Sequence, residues 1–141
     1  MCATVRYNWF MSDSIFTKII RGEIPAHKIY EDDKTLAFLD IHPVQPGMVL
    51  VVSKTPAETF TELNESDYQA LWHTVKLVAK QLQKAFPTKK RIGVQVEGLD
   101  VAHVHVKLFP VDSGEEFRAE PDLSSEPDHR ALAEIAKKLA F

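Results

Sequence analysis

Apolar residues recur at steps of three and four along residues 65–86, which is the spacing of one face of an α-helix. Asn64 stands where an N-cap is expected, and Pro87 stops the helix at its far end. The same spacing predicts a short helix over residues 14–21 and a final helix at about 127–140. We therefore expect one long helix with short flanking helices.

Between these helices the pattern predicts five short strands. Residues 48–53 are almost all apolar, as expected of a central strand that is covered on both faces. A tight turn around Gly98 is predicted to join the last two strands. The other four strand segments are residues 27–32, 35–40, 91–97 and 103–109. Neighbouring strands with helices at the start, middle and end favour the α+β class, with one antiparallel sheet covered by helices on a face.

Composition limits the classes of function that the chain can have. Its 141 residues are 45% hydrophobic and 26% charged, which is typical of one ordinary globular domain. The net charge of −3 offers no electrostatic footprint for nucleic acid, and the basic cluster 89–91 is interpreted as a solvated turn. No apolar run approaches the ~20 residues that span a bilayer, so no membrane segment is expected.

The single cysteine, Cys2, rules out a disulfide within the chain and a thiolate zinc cage, which fits a reducing cytoplasm. Residues 1–11 are expected to be an N-terminal extension outside the fold, with translation starting at Met1 or at Met11. Residues 12–141 are expected to form a single domain.

The chemistry of the chain is concentrated in the predicted strand 103–109. Side chains alternate along a strand, so His103, His105 and Lys107 project from one face while apolar residues project from the other. Two imidazoles and an ammonium in a row could attack, bind or steady a phosphate. The same spacing also fits an ordinary solvent-facing strand or a pair of imidazoles that share a metal ion.

The segment His103-Val-His105-Val-Lys107-Leu-Phe-Pro110 resembles the signature His-φ-His-φ-His-φ-φ-Pro of the histidine triad (HIT) family, where φ is apolar. Four more blocks follow the family pattern in order, at residues 14–25, 30–33, 36–41 and 46–52. On these motifs, which cover about residues 12–110, the chain is identified as a member of the HIT family. The resemblance implies a HIT-like fold with a five-stranded antiparallel sheet, and a twofold homodimer.

The resemblance also implies an activity. HIT proteins bind a nucleoside monophosphate unit and cut at its α-phosphorus, in phosphoramidates or dinucleoside polyphosphates, so the implied partner is a purine nucleotide or nucleotide conjugate. His105 would be the nucleophile that forms a nucleotidyl-histidine intermediate, and His103 would support it. Asp40 would accept hydrogen bonds from the ribose hydroxyls, although it could instead cap a turn. The residues implied in the base pocket, which could equally be core, are Ile15, Phe16, Ile24, Phe38 and Leu39.

Departures from the family pattern allow a second hypothesis about the function of the chain. Lys107 replaces the third histidine, Met48 replaces a histidine that often faces the α-phosphate, and Asp100 stands where a serine is usual. Gln95 is the best match for an amide that usually contacts the phosphate. Lysine can offset phosphate charge, but its pKa of about 10.4 suits proton transfer at pH 7 poorly. The chain is therefore either a hydrolase or a nucleotide-binding module with little or no catalysis.

No metal cofactor is expected from the resemblance. Some HIT proteins carry zinc, and the positions of their ligands are Ser14, Thr17 and Pro56 in this chain. A weaker alternative is a divalent ion at His103 and His105, which would require a carboxylate such as Asp100 nearby.

Overall fold

The computed structural model describes residues 13–141. The predicted N-terminal extension, residues 1–11, lies outside this range, so its prediction stays open. None of the helices within residues 13–141 is long and apolar enough to cross a membrane.

Four helices and five strands follow one another along the described chain. In chain order they are α1 Ile15–Ile20, β1 Lys28–Glu31, β2 Thr35–Leu39, β3 Val49–Ser53, a 3₁₀ turn Phe60–Glu62, α2 Glu65–Ala85, β4 Arg91–Gln95, β5 His105–Val111, α3 Gly114–Phe117 and α4 His129–Leu139. The strands form one sheet of order β1-β2-β3-β5-β4, and every neighbouring pair is antiparallel. The predicted α+β fold with a five-stranded antiparallel sheet is confirmed.

The sheet has two differently covered faces, which we call the helix face and the histidine face. On the helix face, alternate strand residues pack with α2 and α4 in the main core; they include Ala37, Leu39, Val49, Val51, Val106 and Leu108. On the histidine face, the other set packs with α1; it includes Leu36, Phe38, Leu50 and Val52. Register places His105 opposite Val52 and Lys107 opposite Leu50, so both lie on the histidine face, as the alternation predicts.

The connection before β5 differs from the prediction. Strand β5 begins at His105 rather than at residue 103 and continues to Val111, and a loop over residues 96–104 replaces the predicted tight turn. The backbone N–H of Val104 donates to the carbonyl of Ala57 at 2.7 Å, so the chain pairs with a loop there and not with a strand. Gly98 takes a φ of +68° inside this loop, a conformation that favours glycine.

Helix α3 lies among polar residues for which the sequence pattern predicts no helix or strand. Ser113 caps it by accepting a hydrogen bond from the backbone N–H of Glu116 at 3.1 Å. The spacing Ser113-x-x-Glu116 is that of a capping box, a local sequence motif that predicts where this helix begins.

Asp67 ties the start of α2 to the sheet. Its carboxylate, in a nearly buried side chain, accepts hydrogen bonds from Thr55 Oγ1 at 2.8 Å, Asn64 Nδ2 at 3.0 Å and Lys34 Nζ at 3.2 Å. The hydrogen bond from Thr55 is the main cause that lowers the pKa of Asp67, with Lys34 and Asn64 adding to it and burial opposing it. The ionised form therefore stabilises the folded state.

We expect Asp67→Asn to lower the free energy of unfolding by about 2 kcal/mol at pH 7, because hydrogen bonds to a charged acceptor are lost. The pKa of Asp67 is lowered on folding, so this stabilisation is present above the unfolded pKa of about 3.9 and is lost as the pH falls through the lower folded value. Urea unfolding at pH 7 and at pH 3 should show the difference between variant and wild type shrinking at pH 3. Asp33→Asn, at an exposed position, is the control. An equal difference at both pH values would contradict the role of the charge.

Candidate active site

The proton on His105 is fixed by its own backbone neighbourhood. His105 Nδ1 lies 2.7 Å from the carbonyl oxygen of His103. Because a carbonyl oxygen only accepts, Nδ1 must carry the proton and donate it, which leaves a lone pair on Nε2. An imidazole with a free Nε2 lone pair is the form that a histidine nucleophile requires.

His103 has the opposite tautomer and no free ring nitrogen. Its Nε2 donates to the carbonyl of Ser53 at 2.8 Å, so its Nδ1 is an acceptor. That nitrogen lies 3.0 Å from Ser14 Oγ and 3.3 Å from Thr17 Oγ1. With 2% of its surface exposed, His103 is held between the end of β3 and helix α1. Its ring is anchored on both sides, and its backbone carbonyl accepts the hydrogen bond from His105 Nδ1.

Ser14 makes two contacts that connect helix α1 to the site. Its Oγ accepts from the backbone N–H of Thr17 at 3.1 Å, which makes it the N-cap of α1. Its hydroxyl proton is then free to go to His103 Nδ1. Serine is a typical N-cap residue, but no local pattern in the sequence predicts the contact of Ser14 with a residue 89 positions away.

The hydrogen bonds of the two rings argue against the alternative of a divalent ion shared by His103 and His105. Three of the four ring nitrogens are engaged in hydrogen bonds to protein groups, including both nitrogens of His103. Asp100 lies exposed on the 96–104 loop. Within residues 13–141 no group of three or more histidine, cysteine, aspartate or glutamate side chains has the arrangement of a metal site.

Lys107 forms an ion pair instead of facing solvent alone. Its Nζ lies 3.1 Å from Glu97 Oε1, and the two side chains are 21% and 32% exposed. Glu97 and His105 line the same small cleft, of about 110 Å³, which also includes Gly98 and the loop residues 58–60. Glu97 is not among the predicted site residues, because the sequence pattern places it at the end of a strand over residues 91–97, whereas the structure ends that strand at Gln95 and places Glu97 in the 96–104 loop.

Burial sets the ionisation of both histidines. Burial is the main cause that lowers the pKa of His105, and the nearby charge of Lys107 lowers it further. The hydrogen bond to the carbonyl of His103 and the negative charges of Glu97 and Asp40 oppose this without reversing it. Burial likewise lowers the pKa of His103. Both rings are therefore neutral at pH 7, which agrees with the tautomers that the hydrogen bonds require.

Asp40 follows β2 and caps the turn after it, which is the alternative to a role in binding. Its Oδ1 accepts from the backbone N–H of His42 at 2.9 Å. Within the described residues, Oδ2 accepts no hydrogen bond. One oxygen therefore shapes the turn, and the other is available to a ligand, so the two roles are compatible.

Most of the apolar residues predicted for the base pocket lie together on the histidine face. The ring of Phe16 lies edge-on to His105 with centroids 4.8 Å apart, and it contacts Phe38 at 5.6 Å. Ile24 packs at the edge of the same cluster, and Ile15 is 48% exposed on α1. Leu39 differs from the others, because it packs in the core on the helix face.

Gln95, the predicted amide ligand, and Met48, which replaces a family histidine, both contact other parts of the protein. Gln95 lies opposite Lys107 on β4, but its Nε2 donates to the backbone carbonyl of Phe117 at 3.1 Å. Its amide therefore holds α3 against the sheet. Met48 is buried with Phe109 and accepts a hydrogen bond at its sulfur from the backbone N–H of Val44 at 3.4 Å. This position contributes packing where a histidine would contribute a ring nitrogen.

Comparisons with known proteins agree with this architecture. A family model described as "HIT domain" matches residues 21–114. The "Protein hit" of Bacillus subtilis is 34% identical over 139 residues, covering 89% of this chain and 94% of that protein. The "Adenylylsulfatase HINT3" of Arabidopsis thaliana is 32% identical over 111 residues, covering 75% of this chain and 56% of that protein. The crystal structure of a Hit-like protein from Bartonella henselae has a TM-score of 0.80 at 31% identity, covering 92% of this chain and 96% of that chain.

The imidazole of His105 should titrate below its ordinary pKa of about 6.5, with the proton of the neutral ring on Nδ1. Phe16→Ala should raise that pKa, because burial is the main reason that it is low and the ring of Phe16 covers the imidazole. Phe141→Ala, at an exposed ring near the chain end, should leave it unchanged. Two-dimensional ¹H–¹⁵N NMR of the imidazoles against pH measures both. A wild-type pKa at or above 6.5, or a proton on Nε2, would contradict the site described.

Proposed function

The chain belongs to the HIT family, and we propose that it is a nucleotide hydrolase that cleaves at the α-phosphorus through a nucleotidyl-His105 intermediate. HIT proteins bind nucleotides and are generally hydrolases. The observation that carries the proposal for this chain is the tautomer of His105, whose Nδ1–H bond to the carbonyl of His103 leaves Nε2 free to attack.

In the proposed first step, Nε2 of His105 forms a bond to the α-phosphorus, and the bond from phosphorus to the leaving group breaks. The ring becomes positively charged as this happens, and the short Nδ1–H bond to the carbonyl of His103 stabilises that charge. The ammonium of Lys107 offsets charge on the non-bridging oxygens. The leaving group takes its proton from water. In the second step water attacks the phosphorus and breaks its bond to Nε2 of His105. This releases the nucleoside monophosphate and restores neutral His105.

Asp40 and the apolar cluster are proposed to hold the nucleoside. The cleft of about 110 Å³ beside His105 suits a phosphate group, and a whole nucleotide must extend past it. A carboxylate that is acceptor-only suits the two ribose hydroxyls, and Oδ2 of Asp40 is available to them. Ile15, Ile24 and the Phe16–Phe38 pair then offer an apolar wall for a purine base. Gln95 and Asp100 have weaker claims on the ligand, because the first is held by α3 and the second lies on the exposed loop.

The alternative is a nucleotide-binding module with little or no catalysis. The observation that favours it is the ion pair of Lys107 with Glu97, because the residue at this position of β5 is engaged by a carboxylate and is not a histidine that could act as a general acid. Loss of a general acid typically costs about 10²–10⁴-fold in rate, which would leave a slow enzyme or none. A homodimer and a location in the cytoplasm remain further predictions.

Wild-type protein should release AMP from adenosine 5′-phosphoramidate, and His105→Ala should lower the rate by about 10³-fold or more, because the attacking atom is removed. His73→Ala, at an exposed position on α2, is the control. Chromatographic measurement of AMP should include a diadenosine polyphosphate and adenosine 5′-phosphosulfate, the latter because one relative is named an adenylylsulfatase. Equal rates for His105→Ala and wild type would overturn the proposed nucleophile. Nucleotide binding without turnover of any of the three compounds would favour the binding module.

Asp40→Asn should weaken the binding of AMP by about tenfold or more, because a charged acceptor for the ribose hydroxyls is lost. The asparagine keeps an Oδ1 for the backbone N–H of His42, so the turn is retained. Affinity for 2′,3′-dideoxyadenosine monophosphate should stay the same, because this ligand lacks both hydroxyls. Calorimetric titration of both ligands measures the effect, and an equal loss of affinity for both would show that Asp40 shapes only the turn.

A further inference from the structure

Glu97 uses both of its carboxylate oxygens, and each has a different partner. Oε2 accepts from the backbone N–H of Leu99 at 3.0 Å, which holds the carboxylate in the turn of the 96–104 loop. Oε1 lies 3.1 Å from Lys107 Nζ. The carboxylate is therefore fixed at one end by the loop, and its other end fixes the lysine. Burial raises the pKa of Glu97, but the hydrogen bonds from Leu99 and Lys107 outweigh burial, so the carboxylate remains ionised at pH 7.

The ion pair with Glu97 confines the ammonium of Lys107, whose side chain is otherwise flexible. A lysine ammonium sits on a long flexible stem, whereas the ring of a histidine at this position would be confined by two torsions. An ammonium has three donors, and the bond to Glu97 occupies one, so two remain for phosphate oxygens. The ion pair can thus persist while a phosphate is bound, with the ammonium already held in place.

We propose that Glu97 is a positioning residue that holds the ammonium of Lys107 beside His105, so that the Glu97–Lys107 pair together replaces the third histidine of the triad. The inference rests on the proposed function, because it assigns how charge is offset in the same site. Glu97 does not touch the substrate. It acts through Lys107, whose ammonium approaches the non-bridging oxygens.

Glu97 has opposite effects on binding and on turnover. Its negative charge lies in the cleft that receives the phosphate and therefore weakens the binding of anions in the ground state. Its hold on Lys107 keeps the ammonium where charge develops in the transition state. Removal of the charge should thus lower kcat without weakening nucleotide binding.

Glu97→Gln is the informative variant, because the amide keeps an oxygen for the backbone N–H of Leu99 and loses the charge that holds Lys107. We expect kcat for AMP release to fall about tenfold, while the Kd for AMP stays equal or becomes smaller. In a Lys107→Gln background the same change at residue 97 should have no further effect on kcat, because the group through which it acts is gone. An unchanged or increased kcat in the single variant, or an equal fall in both backgrounds, would overturn the proposal.

Glu31→Gln is a matched control for the loss of an ion pair. Glu31 lies at the far side of the sheet on β1, with its Oε2 2.8 Å from Lys54 Nζ, and the pair is about as exposed as Glu97 and Lys107. It should leave kcat and the Kd for AMP unchanged. A fall in kcat like that of Glu97→Gln would assign the effect to general loss of an ion pair and overturn the positioning role.

A second measurement does not depend on turnover. ¹⁵N NMR relaxation of the Lys107 ammonium should show a restricted group in wild-type protein and a mobile group in Glu97→Gln. Equal mobility in both would overturn the positioning role even in an active enzyme. Absence of AMP release by wild-type protein, with Lys107 still restricted by Glu97, would instead overturn the proposed hydrolase and leave the positioning of Lys107 supported.

Discussion

The hydrogen bond from His105 Nδ1 to the carbonyl of His103 is the contact on which the site depends. It selects the tautomer, and it requires the peptide of His103 to stay in one orientation. That orientation is maintained by the ring of His103, which is buried and bonded to Ser53 on β3 and to Ser14 and Thr17 on α1. Three separate segments of the chain therefore determine the position of one proton.

The two faces of the sheet divide the work of stability and chemistry. The helix face buries alternate strand residues under α2 and α4, and this apolar core keeps the central strands in register. The histidine face is covered by α1 and the short α3, and His105 lines a cleft together with Glu97 and Gly98. Because β5 pairs with β3 on one side and with β4 on the other, the proposed nucleophile His105 lies on an internal strand of the sheet.

Lys107 shows how a departure from a family pattern changes the physics of a site and not only its residue list. A lysine supplies permanent positive charge where a histidine would supply charge and a proton that is exchangeable near pH 7. The ion pair with Glu97 restrains the longer side chain and partly offsets its effect on the pKa of His105. In the proposed hydrolase this pair suits charge stabilisation, and proton transfer to the leaving group is left to water.

The amino-acid sequence by itself determined the α+β class, the strands, the long helix, and the row of His103, His105 and Lys107 on one face, because periodicity and alternation are local properties of the chain. It also identified the HIT motifs. Only the tertiary structure decided that Leu39 belongs to the core, that Gln95 holds α3, and that Ser14 and Glu97 contact residues of the triad segment. These contacts join residues that are distant in sequence or lie in irregular loops, where no local pattern records which side chains meet.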